Sequence, residues 1–123
     1  MESSFAEVKY FQVKPDSADE FEGLIAQIQT EQKSQTGCVS VRYMKRFWVL
    51  DDLKPRELTR VVKCVRYFSF WEFDSREHYA TAVPWFFAAY ERPLNRLCIM
   101  PFDVNCGYIT GSSVAGSWPI GCD

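Results

Sequence analysis

Residues Phe70–Tyr90 read FWEFDSREHYATAVPWFFAAY, and the way this stretch divides decides the fold. The run through Trp71, Glu72 and Phe73 has the density of a strand, after which Asp74 and Ser75 supply the short polar side chains that accept free amides at a helix start. Glu77 stands where it could reach back from a cap at Asp74. Pro84 would cost about 3 kcal/mol inside a continuous helix but little in the first turn of a new one. The stretch therefore predicts a strand ending at Trp71–Phe73 and then two helical pieces, Ser75–Ala82 and Pro84–Tyr90. Pro93 then bends the chain before a final helical turn.

Working outward, Thr59–Phe73 reads as a strand apolar on both faces. Val61, Val65, Tyr67 and Trp71 lie on one side, and Val62, Cys64, Phe68 and Phe70 on the other. A strand of that kind is covered on both faces. Before it, DDLKPREL (Asp51–Leu58) is charged and carries Pro55, as a connection between strands would. From Val39 the period is two, with Val39, Val41, Tyr43, Phe47 and Val49 pointing one way and Ser40, Arg42 and Arg46 the other.

FAEVKYFQV (Phe5–Val13), closed by Pro15, gives a first strand. Ser17 and Glu20 then have capping-box spacing, and Phe21, Leu24, Ile25 and Ile28 recur at helical intervals. This amphipathic helix runs to about Thr36, with Gly37 as its stop. A last strand over Phe102–Ile109 completes the order βαββαβ, an α+β ferredoxin-like arrangement with one antiparallel sheet. Its helices lie on one face only, and dimerisation is the natural cover for the other. Residues 1–110 form the domain, and GSSVAGSWPIGCD (Gly111–Asp123) reads as an irregular tail.

A chain of 123 residues, 47% of them apolar, holds one domain with a proper core. A formal net charge of -2 without a basic face argues against nucleic acid as a partner. No apolar run approaches the roughly 20 residues that cross a bilayer. With no basic or apolar leader in MESSFAEVKY, the expectation is a cytoplasmic protein without a membrane partner. Cys38, Cys64, Cys98, Cys106 and Cys122 form no CxxC pair and read as buried reduced thiols, so neither a metal nor a cofactor is called for. Aromatic residues make up 16% of the chain, enough to line a pocket or an apolar interface as well as a core.

The first strand and helix, the long central hairpin and then WEFDSREHYATAVPWFFAAYERPL resemble the antibiotic biosynthesis monooxygenase superfamily, over Phe5 to Ile109. The resemblance rests on a strand ending in Trp71–Glu72, a short helix, a break at AVPWFFAAY and a second helix beginning with an aromatic residue. It implies a homodimeric α/β barrel with a pocket between each subunit's sheet and helices. Such proteins include cofactor-independent oxygenases of phenolic polyketides or quinols, haem-degrading enzymes, and domains without known activity. The haem-degrading branch uses a histidine on the second helical piece and an asparagine on the first strand. Here the first of these positions falls on Tyr90, and FAEVKYFQV has no Asn, so that route is not expected.

Cofactor-free oxygenation needs a desolvating pocket, a group that takes the substrate proton, and donors for the resulting anion. His78, the lone histidine, is the only side chain with an ordinary pKa near neutrality and is the candidate base, although a histidine so early in a helix is commonly just solvated. Trp71 could donate its indole N–H to a substrate oxygen. Tyr67 and Tyr43 add phenolic donors, while Arg42 lies on the face opposite Tyr43. Phe86, Phe87 and Tyr90 make an aromatic wall that would serve equally as core. Asp16, Asp19 and Glu20 read as a solvated helix start. The expected function is binding of a small aromatic or polyketide-like ligand, with cofactor-independent monooxygenation as the enzymatic form. The alternatives are a non-catalytic ligand-binding or accessory dimerisation domain, or a cyclase or isomerase on the same fold.

Overall fold

The computed structural model describes residues 3–60 and 63–113. Strand β1 (Phe5–Val13) is followed by a 3-10 turn over Pro15–Ser17 and helix α1 (Ala18–Lys33). Ser17 makes no side-chain cap, contrary to the capping-box expectation: the 3-10 turn leads straight into the helix, and Asp19 and Glu20 supply negative charge to its first turn. The buried positions Phe21, Ile25, Ile28 and Gln32 recur at helical spacing, with Leu24 half-buried beside them. Gly37, at φ +84, then turns the chain into strand β2 (Cys38–Arg46).

The expected single strand from Val39 to Val49 is divided. A bulge between Cys38 and Ser40 turns Cys38 inward and leaves Val39 57% exposed, because one extra residue shifts the alternation. The charged connection forms a small hairpin of its own, β3 (Trp48–Asp51) paired with β4 (Lys54–Glu57). Asp52 and Leu53 both take positive φ at its two-residue turn, the geometry whose twist suits antiparallel strands. Pro55 is compatible with β4 because that short strand pairs on one side only.

Strand β5 (Val65–Phe73) starts later than the sequence implies, and Val61 and Val62 lie outside the described residues. Its odd-numbered residues are buried and its even-numbered ones half-buried, so within one chain only one of its apolar faces is covered. Helix α2 (Arg76–Arg96) is continuous, which corrects the expected break at Pro84 and the bend at Pro93. Ser75 caps it by accepting the His78 N–H at 3.2 Å, while Glu77 pairs with Arg76 at 3.5 Å instead of reaching back. Tyr79, Ala82, Phe86, Tyr90 and Leu94 form one buried stripe along α2. That burial outweighs the local cost of a proline on the exposed side. Accordingly Pro84→Ala is expected to raise stability by about 1–2 kcal/mol, the restored helix bond less the entropy regained by the unfolded chain. Chemical denaturation would check this, and a loss of stability would show that the Pro84 ring contributes packing.

Strand β6 (Asp103–Tyr108) closes the four-stranded antiparallel sheet in the order β2-β5-β1-β6. This is the α+β ferredoxin-like fold, with both helices on one face of the sheet. The other face exposes Val8 and Met44 beside half-buried Tyr10, Phe68 and Phe70. Of the cysteines, Cys64 and Cys98 are buried and Cys38 half-buried, whereas Cys106 is exposed on the edge strand β6 and not buried as expected. Burial pushes the Cys98 thiol up to about 11. Cys122 and most of the tail lie outside the described residues. Among those residues no helix is long and apolar enough to cross a membrane.

Candidate functional site

The alternation that buries Phe5, Phe11 and Val13 on β1 also carries Glu7 and Lys9 into the interior, where both are fully buried. A buried charge costs several kcal/mol unless its partners are close. The Lys9 ammonium donates to Glu7 Oε2, and Tyr79 OH donates to Glu7 Oε1 at 2.7 Å. Lys9 Nζ also lies 3.8 Å from the ring centroid of Phe86 and 5.1 Å from that of Trp71, so its remaining surroundings are aromatic faces. Burial pushes the Lys9 amine below its ordinary range, and the Glu7 carboxylate opposes that shift.

Strand register sets what faces this pair. Lys9 stands opposite Ser69, and Ser69 opposite Tyr43; one row along, Glu7 stands opposite Trp71. Ser69 Oγ and Trp71 Nε1 are buried without a hydrogen-bond partner. The same holds for Gln32 Nε2, whose Oε1 accepts Tyr43 OH at 2.6 Å and so ties α1 to this row. An unpaired buried polar group costs about 1–3 kcal/mol, and such groups are uncommon in folded proteins. Indole and amide N–H groups only donate, and so does the ammonium of Lys9. Beside the Lys9–Glu7 pair, the interior thus holds two N–H donors, Trp71 Nε1 and Gln32 Nε2, and one hydroxyl, Ser69 Oγ, that are without partners and could receive an anionic oxygen.

The sequence-derived residues divide around this cluster. Trp71 stands within it and Phe86 covers it, with Phe87 and Tyr90 packed on Phe86 at centroid distances of 6.1 and 6.0 Å. Tyr90 OH donates to Glu31 Oε1 at 2.7 Å, joining α2 to α1. Tyr43 and Tyr67 line an open cavity of about 270 Å³ between α1 and the sheet, with Ile25 and Glu22 on the helix side. Tyr67 OH donates to Glu22 Oε2 at 2.5 Å. Both tyrosine hydroxyls are held well above their ordinary pKa, chiefly by burial and secondly by a nearby carboxylate, Glu7 for Tyr43 and Glu22 for Tyr67.

His78 is not brought to the cluster. Its Nδ1 lies 2.7 Å from Asp74 Oδ1, its side chain is 43% exposed, and its ring packs over Gly37, where a Cβ would collide with it. Arg42, on the outer face, lies over Phe70 with 5.6 Å between the guanidinium carbon and the ring centroid. Sequence reasoning missed Glu7, Lys9, Ser69, Gln32 and Tyr79. For Glu7 and Lys9 a signal was present, since they share the parity of Phe5, Phe11 and Val13.

No family model and no curated protein matches this chain. Solved structures do match it across nearly its whole length. A Mycobacterium tuberculosis protein, Rv0793, has 16% sequence identity and a TM-score of 0.66, over 91% of this chain and 100% of that one. SnoaB from Streptomyces nogalater, named a cofactor-independent oxygenase and solved as a point mutant, has 15% identity and a TM-score of 0.65, over 90% and 97% of the two chains. A monooxygenase from the gene ActVA-Orf6 of Streptomyces coelicolor, in complex with the ligand nanaomycin D, has 16% identity and a TM-score of 0.63, over 91% and 92%. The chain shares the fold of these structures, two of which are named as an oxygenase and a monooxygenase, as the sequence resemblance implied.

Proposed function

We propose that this chain is a homodimeric, cofactor-independent monooxygenase, in which each subunit binds a small aromatic or polyketide-like ligand as its phenolate or enolate. The observation that carries this reading is the presence of two buried polar groups without partners, the Ser69 hydroxyl and the Trp71 indole N–H, beside the Lys9–Glu7 pair. In this reading Lys9, Ser69 and Trp71 donate to the ligand oxygen, and Phe86, backed by Phe87 and Tyr90, lies against the ligand ring. Glu7 takes the substrate proton, with Tyr79 holding the carboxyl in place. The ligand arrives through the cavity lined by Tyr43 and Tyr67. Tyr43, released from Gln32, swings aside next to Ser69.

The substrate supplies the electrons. An anthrone-type methylene loses a proton to give a delocalised anion, which passes one electron to dioxygen. Recombination forms the carbon–oxygen bond, and the hydroperoxide loses water to leave a carbonyl. One oxygen atom ends in the quinone and the other, with both methylene hydrogens, in water. The chain's part is to desolvate the substrate and stabilise its anion. Support for dioxygen chemistry comes from the shared fold with a protein named a cofactor-independent oxygenase, and support for an aromatic ligand from the structure holding nanaomycin D. The proposed setting is the cytoplasm, where Cys38, Cys64, Cys98 and Cys106 stay reduced.

Oxygen uptake with an anthrone or hydroquinone tests the reading. Trp71→Phe and Ser69→Ala are each expected to lower kcat/KM by about 100-fold with the circular dichroism spectrum unchanged. Glu7→Gln against His78→Ala assigns the base: loss of uptake in His78→Ala alone would move that role to His78. Saturable ligand binding without uptake would make the chain a binding module instead. Turnover without oxygen would make it a cyclase or isomerase.

A further inference from the structure

At the end of β5 farthest from Trp71, cationic side chains converge on a second cavity. Arg46 and Arg66 are direct cross-strand partners in the β2–β5 pair, and like charges so placed destabilise a sheet on their own. Arg60 and Lys63, from the segment between β4 and β5, line the same cavity of about 210 Å³, together with Phe47, Leu58, Cys64 and Val65. Arg66 Nε donates to Tyr10 OH at 2.8 Å, which fixes the guanidinium and leaves its other nitrogens available. The ion pairs among the described residues include none of these four cations; of the hairpin carboxylates, Asp51 is held by Arg56 at 2.8 Å, and Glu57 precedes Leu58 of the cavity lining. In a chain of formal net charge -2, this is a local excess of positive charge facing an apolar-floored hollow.

We propose that this cavity is a binding site for a multiply charged oxyanion of the phosphate-ester class, carried on an apolar group. Arg46 and Arg66 offer planar forks suited to bidentate contact with such an anion, while Arg60 and Lys63 line the same cavity and add two further cations. Phe47, Leu58 and Val65 meet the apolar remainder of the ligand. A dianion between Arg46 and Arg66 turns their mutual repulsion into two attractive contacts, which accounts for a pairing that otherwise only costs stability. The site shares no residue with the buried donor cluster and does not depend on its proposed chemistry.

The test uses the full chain and inorganic pyrophosphate as probe, with sodium chloride at matched ionic strength as control. Calorimetric titration is expected to show saturable binding, with pyrophosphate tighter than phosphate, and a thermal midpoint that rises with pyrophosphate concentration. Arg46→Gln and Lys63→Gln are each expected to weaken binding about tenfold without changing the sedimentation coefficient. Equal binding in wild type and Arg46→Gln/Lys63→Gln would overturn the proposal. So would the absence of saturable binding at low salt. Weakened self-association of the variants, in a wild type that binds no pyrophosphate, would also overturn it and assign the cations to carboxylates of a second copy.

Discussion

Lys9→Met is expected to lower stability by about 3–5 kcal/mol in urea unfolding, whereas Glu7→Leu/Lys9→Met recovers most of that loss. The single substitution leaves the Glu7 carboxylate in the interior with only Tyr79 OH, 2.7 Å away, as a partner. Removing both charges removes the need for partners as well, and the similar apolar volumes preserve the packing against Phe86. A coupling energy between the two sites follows from the double-mutant cycle. If Lys9→Met alone cost less than about 1 kcal/mol, Glu7 would not depend on the ammonium, and the electrostatic account of the interior would fail.

The same pair gives a sign for the pH dependence. Lys9 has a lowered pKa in the folded protein relative to the ordinary value of 10.5. Between the lowered value and 10.5 the unfolded chain therefore binds more protons at this position than the folded one does. Stability conferred by this group rises with pH across that window. Wild-type stability relative to Glu7→Leu/Lys9→Met should rise with it, and a fall would mean that coupling to Glu7 outweighs desolvation.

Phe68→Glu is expected to turn the proposed dimer into a monomer, weakening self-association by about 1000-fold in sedimentation equilibrium. Phe68 lies on the sheet face that carries no helix, stacked on Tyr10 at 4.9 Å and flanked by exposed Met44. In a single chain it is half-buried, so a carboxylate there can stay hydrated and the fold survives. In a two-fold interface the substitution occurs twice, and each carboxylate loses its water beside its own copy. Like-charge juxtaposition of that kind costs several kcal/mol. The unfolding transition of the variant monomer should remain cooperative. A wild type that sediments as a monomer at micromolar concentration would remove the homodimer from the proposed function.

The order βαββαβ was legible in the sequence because each of its signals is local. The strand-like density of FAEVKYFQV before Pro15, helical spacing from Phe21 to Ile28 and a Ser75 cap each report on a few neighbouring residues, and all three elements lie where those patterns put them. Pro84 was misread for the complementary reason. Its cost is local and visible in sequence, whereas the contacts of Phe86, Tyr90 and Leu94 that hold α2 in one piece come from strands far away in the chain. The hairpin at Asp51–Lys54 escaped notice because its turn uses Asp52 and Leu53 at positive φ, where composition gives no glycine to mark it.

The candidate site divides the same way. Sequence singled out Trp71, Tyr43 and Phe86, because large rings on strand and helix faces announce themselves as interior. Glu7 and Lys9 were passed over because charged side chains are ordinarily solvated, and only tertiary structure shows the partners that allow burial: each other, Tyr79 from α2, and the faces of Phe86 and Trp71. His78 shows the reverse, since its residue type draws attention while its position over Gly37 is set by a turn 41 residues earlier in the chain. By itself the sequence determined the order along the chain of the four main-sheet strands and the two helices, since periodicity and capping act over a few residues. The tertiary structure alone decided which polar groups meet in the interior, since strand register places side chains from β1, β2 and β5 in one row, and no local pattern encodes it.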